Sequence, residues 1–160
     1  MLSPSQVYGL SVSQAQVCAD KLLEAYNNKT YPRKLLAVDA IVGTAFGGIF
    51  KSFTPTENKL ALEVGEIHIQ ESFTEPSGNY KYWDLVVATS EKTGKENEYR
   101  VEGMVSVTSP KAKGRYTFLA LVLTPGCKVR QVRIADIMTL VDKLKASLAS
   151  DSRVRKLFSK

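Results

Sequence analysis

Short turn-forming links separate a series of strand-like segments between residues 60 and 134. The links, which are TEPSGN, SEKTGKEN, SPKAKG and TPG, are rich in Gly, Pro, Ser and Asn. Links of this length cannot hold the crossover that parallel strands need, so they predict neighbouring strands that run antiparallel. The pattern therefore predicts one antiparallel sheet of four or five strands over residues 60–134.

The individual segments differ in how their apolar residues alternate. In LALEVGEIHIQESF, residues 60–73, the apolar parity changes at Gly65, and we interpret this as a strand with a β-bulge. YKYWDLVVAT is apolar on both parities, which is typical of a central strand, and YTFLALVLT shares the pattern. KVRQVRI is short and charged, as expected for an edge strand.

Helical periodicity flanks the predicted sheet on both sides. Residues 1–30 are expected to contain a helix that starts near Ser13, where Ser13 and Gln16 have the spacing of a capping box. A second, apolar helix is predicted within residues 31–51, and a C-terminal helix with a basic tail within 135–160. Helices before and after one antiparallel sheet predict a single α+β domain over residues 1–160.

The apolar segment from Leu35 to Phe50 has a single charged residue, Asp39, in 16 positions. Crossing a bilayer takes about 20 apolar residues, so we do not expect this segment to span a membrane. Gly43 and Gly47 have the G-x-x-x-G spacing that allows a close approach of a neighbouring backbone. The segment either packs against the protein's own sheet or docks on a membrane or a partner subunit through Gly43, Gly47 and Asp39.

Positive charge is concentrated near the C-terminal end. Residues 1–110 contain 10 Lys and Arg against 13 Asp and Glu, whereas residues 111–160 contain 12 against 3. Such an end is either solvated surface or the contact site of an anionic partner: an acidic protein face, anionic lipid or RNA. The expected contact residues are Lys111, Lys113 and Arg115, at a predicted hairpin tip, and Lys128, Arg130, Arg133, Arg153, Arg155 and Lys156.

Residues that carry catalysis are scarce. The one histidine, His68, lies beside Glu66 in the first predicted strand, and we interpret it as a structural polar residue. Cys18 and Cys127 are predicted to be reduced, the first buried in a helix and the second in a turn. The sequence contains no zinc-ligand spacing and no phosphate-binding loop. It therefore predicts a protein that is not an enzyme and that uses no cofactor or metal.

Aromatic residues begin two of the predicted strands, namely Tyr80, Tyr82 and Trp83 in one and Tyr116 and Phe118 in the other. RNA-recognition sheets stack bases on such residues. In a sheet that is covered by helices on one face, however, aromatic residues more commonly belong to the core. An RNA-associated domain of a ribonucleoprotein and a small cup for a hydrophobic ligand are therefore retained as alternative functions.

The order of helix, apolar segment and V-x-G strand followed by a basic-glycine turn resembles the mitochondrial cytochrome oxidase assembly factor one family and its relative in the inner-membrane protein translocase. Val101, Gly103, Lys113 and Gly114 carry the resemblance, which covers residues 35–123. It implies a non-catalytic accessory or assembly subunit of a larger, membrane-associated mitochondrial complex.

The route of the chain through the cell is a separate question. Asn28 begins the sequon NKT, which has meaning only on a secretory route. The first residues lack the basic and apolar regions of a secretory signal. We therefore expect a protein that is not secreted, and the family resemblance implies a mitochondrial location.

Overall fold

The computed structural model describes residues 9–76, 80–109, 112–134 and 139–159, without the side chains of residues 112–115. In this part of the chain, four α-helices and one four-stranded sheet confirm the predicted α+β class. The helices are α1 (Val12–Asn27), α2 (Val38–Phe46), α3 (Pro55–Thr74) and α4 (Leu140–Ser150), and the strands are β1 (Lys81–Lys92), β2 (Tyr99–Ser109), β3 (Ala112–Leu123) and β4 (Val129–Ile134). The strands lie in the order β1-β2-β3-β4, and each pair is antiparallel.

The prediction of a strand over residues 60–73 is wrong, because this segment lies within helix α3. A capping box between Thr54 and Glu57 and a proline at the first helical position start the helix. The residues that α3 buries recur every three or four positions, with Val64 and Gly65 adjacent to each other: Ala61, Val64, Gly65, Ile69 and Phe73. The parity change at Gly65 thus reflects helical periodicity, and Gly65 is a site of helix packing rather than a bulge.

Gly65 sets the distance between α2 and α3. A Cβ atom at this position would lie 2.5 Å from Cγ2 of Val42, a fully buried residue of α2. No side chain larger than hydrogen fits there without a shift of Val42 or of one helix, because interiors are packed to crystal-like density. The close approach of two helices that the sequence suggested at Gly43 and Gly47 is therefore found at Gly65.

The predicted apolar helix within residues 31–51 is interrupted. Only Val38–Phe46 is α-helical, with short 3-10 turns at Arg33–Leu35 and Gly47–Ser52. Its apolar residues Ile41, Val42, Ala45 and Phe46 are buried in the domain's own core. The segment therefore packs within the domain, one of the two alternatives that the sequence left open.

Helices cover only one face of the sheet. The residues of β2 and β3 that point towards the helices are fully or almost fully buried: Tyr99, Val101, Val105, Leu119, Leu121 and Leu123. Their alternating neighbours Met104, Tyr116 and Phe118 are exposed. The sheet thus has a packed inner face and an opposite face, called here the open face, on which the described chain places no helix.

Helix α1 also protects the edge of β1. The side-chain amide of Gln16 donates to the carbonyl oxygen of Leu85 (2.8 Å) and accepts from the backbone N–H of Val87 (2.7 Å). Asn27 makes the same pair of bonds with Tyr82. The helix starts two residues earlier than predicted, with a capping box between Ser11 and Gln14, and this leaves Gln16 free for the sheet edge.

A disulfide joins Cys18 of α1 to Cys127 in the turn between β3 and β4, with the Cα atoms 5.4 Å apart. The prediction that both cysteines are reduced is therefore wrong. A separation of 109 residues hid the pair from sequence reasoning. The crosslink fixes the N-terminal helix to the far end of the sheet, and disulfides of this kind persist in oxidising compartments.

The structure differs from three further predictions, which concern strand order, the β2–β3 hairpin and the start of the C-terminal helix. Strand β1 is an edge strand and not a central one, whereas β4 is an edge strand as predicted. Ser109 pairs with Ala112, so Lys113 and Arg115 belong to strand β3 rather than to a hairpin tip, whereas Lys111 lies outside the described residues. The C-terminal α-helix begins at Leu140 rather than near residue 135.

Candidate interaction surface

Three exposed apolar side chains form a row across the open face. Val86 of β1 is the register partner of Met104 of β2, and Met104 is the register partner of Phe118 of β3. Their exposed fractions are 64%, 46% and 38%. Side chains directly opposite each other on one face of a sheet are neighbours, so the three form one continuous apolar strip.

A second row lies beside the first. Trp83 and Tyr116 flank Ser106 in the sheet register and are 45% and 69% exposed, whereas Ser106 itself is 1% exposed. We attribute the burial of Ser106 to shielding by the two neighbouring rings. The indole Nε1–H of Trp83 donates to Oγ1 of Thr108 at 2.8 Å, which fixes the ring on the sheet surface.

The backbone of β1 is irregular at this site, where it approaches Gly103 of β2 closely. A Cβ atom on Gly103 would collide with the carbonyl oxygen of Val86. The register of β1 shifts on both sides of Val86–Val87, and Asp84 has a φ of 49°. Glycine is thus required by the packing of β1 on β2, which gives the V-x-G pattern a structural cause in this chain.

Charged residues at the margin of the two rows carry both signs. Arg100 donates to Glu102 at 2.7 Å, and Glu91 is the register partner of Arg100. Lys81 and Arg133 are exposed at opposite edge strands. The open face is therefore an apolar and aromatic surface with a mixed polar margin, without a strong excess of positive charge among the described side chains.

The expected contact residues of the apolar helix lie elsewhere. A Cβ atom on Gly43 would lie 3.1 Å from the ring of Phe50, so this close approach is within the chain. Gly47 ends α2 with a φ of 79° and has open space around it, as a turn glycine does. Asp39 is exposed in the first turn of α2, where the helix dipole favours a carboxylate.

The expected basic contact residues do not form one patch. Lys128 donates to the carbonyl oxygen of Lys34 (2.7 Å), and Arg130 donates to Glu98 (2.8 Å). Arg153 is paired with Asp151. Arg133, Arg155 and Lys156 are exposed with no ion pair among the described residues, whereas Lys111 and the side chains of Lys113 and Arg115 lie outside the description.

The ion pair of Arg130 is partly a structural feature of the sheet edge. Glu98 is 7% exposed and also accepts a hydrogen bond from Thr93 at 2.9 Å. Burial by itself raises the pKa of this carboxyl, but the hydrogen bonds from Arg130 and Thr93 outweigh it, and the net pKa is lowered. Arg130 therefore compensates a buried charge.

His68 lies on α3 and is not the strand neighbour of Glu66. Its Nε2 lies 2.7 Å from Oδ2 of Asp151, just after α4. Two hydrogen bonds from the Arg153 guanidinium, together with the contact to His68, hold the pKa of Asp151 well below its usual range. Ser72 donates to the His68 carbonyl oxygen, and the contact of His68 with Asp151 joins α3 to the C-terminal segment.

Among the described residues, no group of three or more His, Cys, Asp or Glu side chains is arranged to hold a metal ion. No helix in the described part of the chain has both the length and the hydrophobicity to cross a bilayer. Comparison with models of known protein families and with curated proteins gives no match. The resemblance to the assembly factor family stays a prediction.

Proposed function

We propose that this protein is a non-catalytic accessory or assembly subunit that binds a partner protein through the open face of its sheet. The observation that carries the proposal is the row of Val86, Met104 and Phe118, which runs unbroken across three strands and is exposed to solvent. A contiguous apolar surface of this kind on a soluble domain is typical of an interaction site.

The composition of the open face supports a protein partner. Tryptophan, tyrosine and methionine are enriched in the centres of protein interfaces, where charged residues are depleted and confined to the margin. Trp83, Tyr116 and Met104 occupy the centre here, and the Arg100–Glu102 ion pair lies at the side. The sheet fixes the backbone beneath this surface, so binding needs no ordering of the backbone.

One further feature favours a protein over RNA as the partner, and another favours it over a small hydrophobic ligand. RNA binding by a sheet needs aromatic rings together with a surplus of cations. Here Arg100 is held by Glu102, and Glu91 lies opposite it. The inner face of the sheet, which a cup for a hydrophobic ligand would require, is filled by side chains such as Val101, Val105 and Leu121.

Charge substitution on the open face tests the proposal. The full chain is tagged in its source cells, and the proteins that co-purify with the natural sequence are compared with those that co-purify with Met104→Lys and Phe118→Lys. Because both side chains are exposed, the fold tolerates the change. Loss of a central interface contact weakens binding by at least about tenfold, so the specific partner should be lost from both variants.

Val17→Lys is the matched control, since Val17 is an equally exposed apolar residue (51%) on helix α1. The control variant should retain the partner. A partner that is retained by Met104→Lys and Phe118→Lys would show that binding uses another surface. Binding that weakens steeply with salt and is lost on ribonuclease treatment would favour RNA instead.

A further inference from the structure

We infer that Asn28 is a site of N-linked glycosylation. Asn28, Lys29 and Thr30 form the only Asn-x-Ser/Thr sequon in the chain. A sequon is modified only if the chain passes through a compartment with the transferase and if the asparagine lies on the surface. The exposure of Asn28 bears on the second condition, and the state of the cysteines bears on the first. Neither observation depends on the open face.

The sequon lies at an exposed helix end. Asn28 is the C-terminal cap of α1, and Lys29 follows with a φ of 55°, so the chain turns away from the helix at this point. Asn28, Lys29 and Thr30 are all exposed. Loops of this kind are the surface sites at which a bulky, solvated group is accommodated.

Two neighbouring asparagines at this helix end have different roles. The side-chain amide of Asn27 is fully used, because it donates to and accepts from the backbone of Tyr82. The side chain of Asn28 makes no hydrogen bond to any described residue. The sequon thus falls on the asparagine whose modification costs the fold no contact.

There is also space at the amide. Asn28 lines a surface cleft of about 260 Å³ together with Trp83 and Asp84. This cleft opens beside the end of α1, so a first sugar attached to the amide nitrogen has room next to an exposed indole ring. A sugar attached to Asn28 displaces no side chain from the inner face of the sheet.

The disulfide is the independent observation that concerns the compartment. Cys18 and Cys127 are joined across 109 residues of sequence, and Cys18 is 2% exposed, so the bond is part of the core. Stable structural disulfides are formed on oxidising routes, of which the secretory route is the one that carries N-glycosylation. The oxidised pair and the surface sequon therefore point to the same route, against the expectation from the first residues that the protein is not secreted.

The reaction is a group transfer with a defined donor. The amide nitrogen of Asn28 attacks the anomeric carbon of an oligosaccharide carried on a lipid pyrophosphate, and an N–C bond forms. The bond between that carbon and the pyrophosphate oxygen breaks, the amide loses one proton, and the lipid pyrophosphate leaves. The hydroxyl of Thr30 completes the sequon, so both residues are required.

The test uses the tagged full chain expressed in its source cells and treated with peptide N-glycosidase. We expect the natural chain to lose the apparent mass of one glycan on treatment. Asn28→Gln and Thr30→Ala should show no shift, whereas Thr30→Ser, which keeps the hydroxyl, should retain it. Peptide mass spectrometry should then find aspartate at position 28 of the treated natural chain.

Trapping of thiols by alkylation in the same cells records the state of Cys18 and Cys127. An unmodified Asn28 together with an intact disulfide would overturn the inference, because the chain would then be oxidised in a compartment without the transferase. An unmodified Asn28 with reduced cysteines would overturn it as well. Neither result would affect the proposal for the open face, which rests on different residues.

Discussion

The side-chain amide of Asn27 pairs with the backbone of Tyr82 as a neighbouring strand would. Its Nδ2 donates to the Tyr82 carbonyl oxygen at 2.6 Å, and its Oδ1 accepts from the Tyr82 N–H at 3.0 Å. Gln16, about three helical turns earlier on the same face of α1, makes the same pair of bonds with Leu85 and Val87. Free edges of sheets invite pairing with other chains, so these two amides protect β1 while leaving the open face accessible.

Asn27→Leu is therefore expected to lower the free energy of unfolding. Two backbone groups at the part-buried edge lose their partners, and an unsatisfied buried polar group costs about 1–3 kcal/mol. Urea denaturation measures the effect. Asn28→Ala, which removes a side chain with no hydrogen bond to described residues, should change stability by less than about 0.5 kcal/mol. Equal stabilities of the two variants would contradict the role of Asn27.

The contact between Gly65 and Val42 predicts a coupled pair of substitutions. Gly65→Ala places a Cβ atom 2.5 Å from Val42, and overpacking of this kind destabilises cores by about 1–3 kcal/mol. Val42→Ala removes the colliding methyl groups, so the double variant should be more stable than the sum of the two single changes predicts. Gly94→Ala, with open space around the site, is the control, and strict additivity would rule out the collision.

Helix α3 shows why part of the fold escaped prediction. Leu60, Leu62 and Val64 alternate as a strand does, and the break at Gly65 has the form of a bulge. The capping box at Thr54 and Glu57 lies upstream of the apolar run, and it decides the helix start. Over short stretches the two periodicities overlap, so packing against α2 and α4 selects the helix.

The open face could be predicted from the sequence only in part. The aromatic residues at the starts of β1 and β3 were recognisable in the sequence, but the face to which each one belongs was not. Tyr82 is 3% exposed, whereas its neighbour Trp83 is 45% exposed. Val86 gave no signal at all, because apolar residues on both parities of its segment predict a strand buried on both faces. Only the placement of the described helices on one side of the sheet leaves it exposed.

The ion pairs of the basic residues could not be predicted from the sequence either. A net excess in the last 50 residues predicted one electrostatic surface. In the structure, Arg130 and Arg153 each neutralise a nearby carboxylate within the domain. Arg130 and Glu98 are 32 residues apart in sequence, and charge counts contain no information on pairing.

Removal of the disulfide should destabilise the domain strongly. Replacing both Cys18 and Cys127 by alanine is expected to lower the free energy of unfolding by about 2–5 kcal/mol, because the closed loop is long. Dithiothreitol should lower the urea midpoint of the natural chain to near that of the double variant and should leave the midpoint of the double variant unchanged. A midpoint of the natural chain that does not respond to reductant would contradict the crosslink.

The pH dependence of stability should include a contribution from Asp151. Its pKa is lowered in the folded state, so its stabilising effect is complete above the unfolded value of about 3.9 and is lost as the pH falls below it. Asp151→Asn should therefore cost about 1–3 kcal/mol at pH 7, and the difference from the natural chain should shrink in acid. Glu63→Gln, at an exposed carboxylate in the middle of α3 without an ion pair in the described part of the chain, should show little change at either pH. A pH-independent cost of Asp151→Asn would contradict this account.

The open face as a protein-binding surface is tested most directly by site-specific photo-crosslinking in the source cells. A photoreactive residue is placed at Met104 and, as the control, at Val17, which has a similar exposed fraction. We predict a crosslink to one partner protein from position 104 that is absent from position 17. A crosslink to nucleic acid from position 104, or the same products from both positions, would contradict the account.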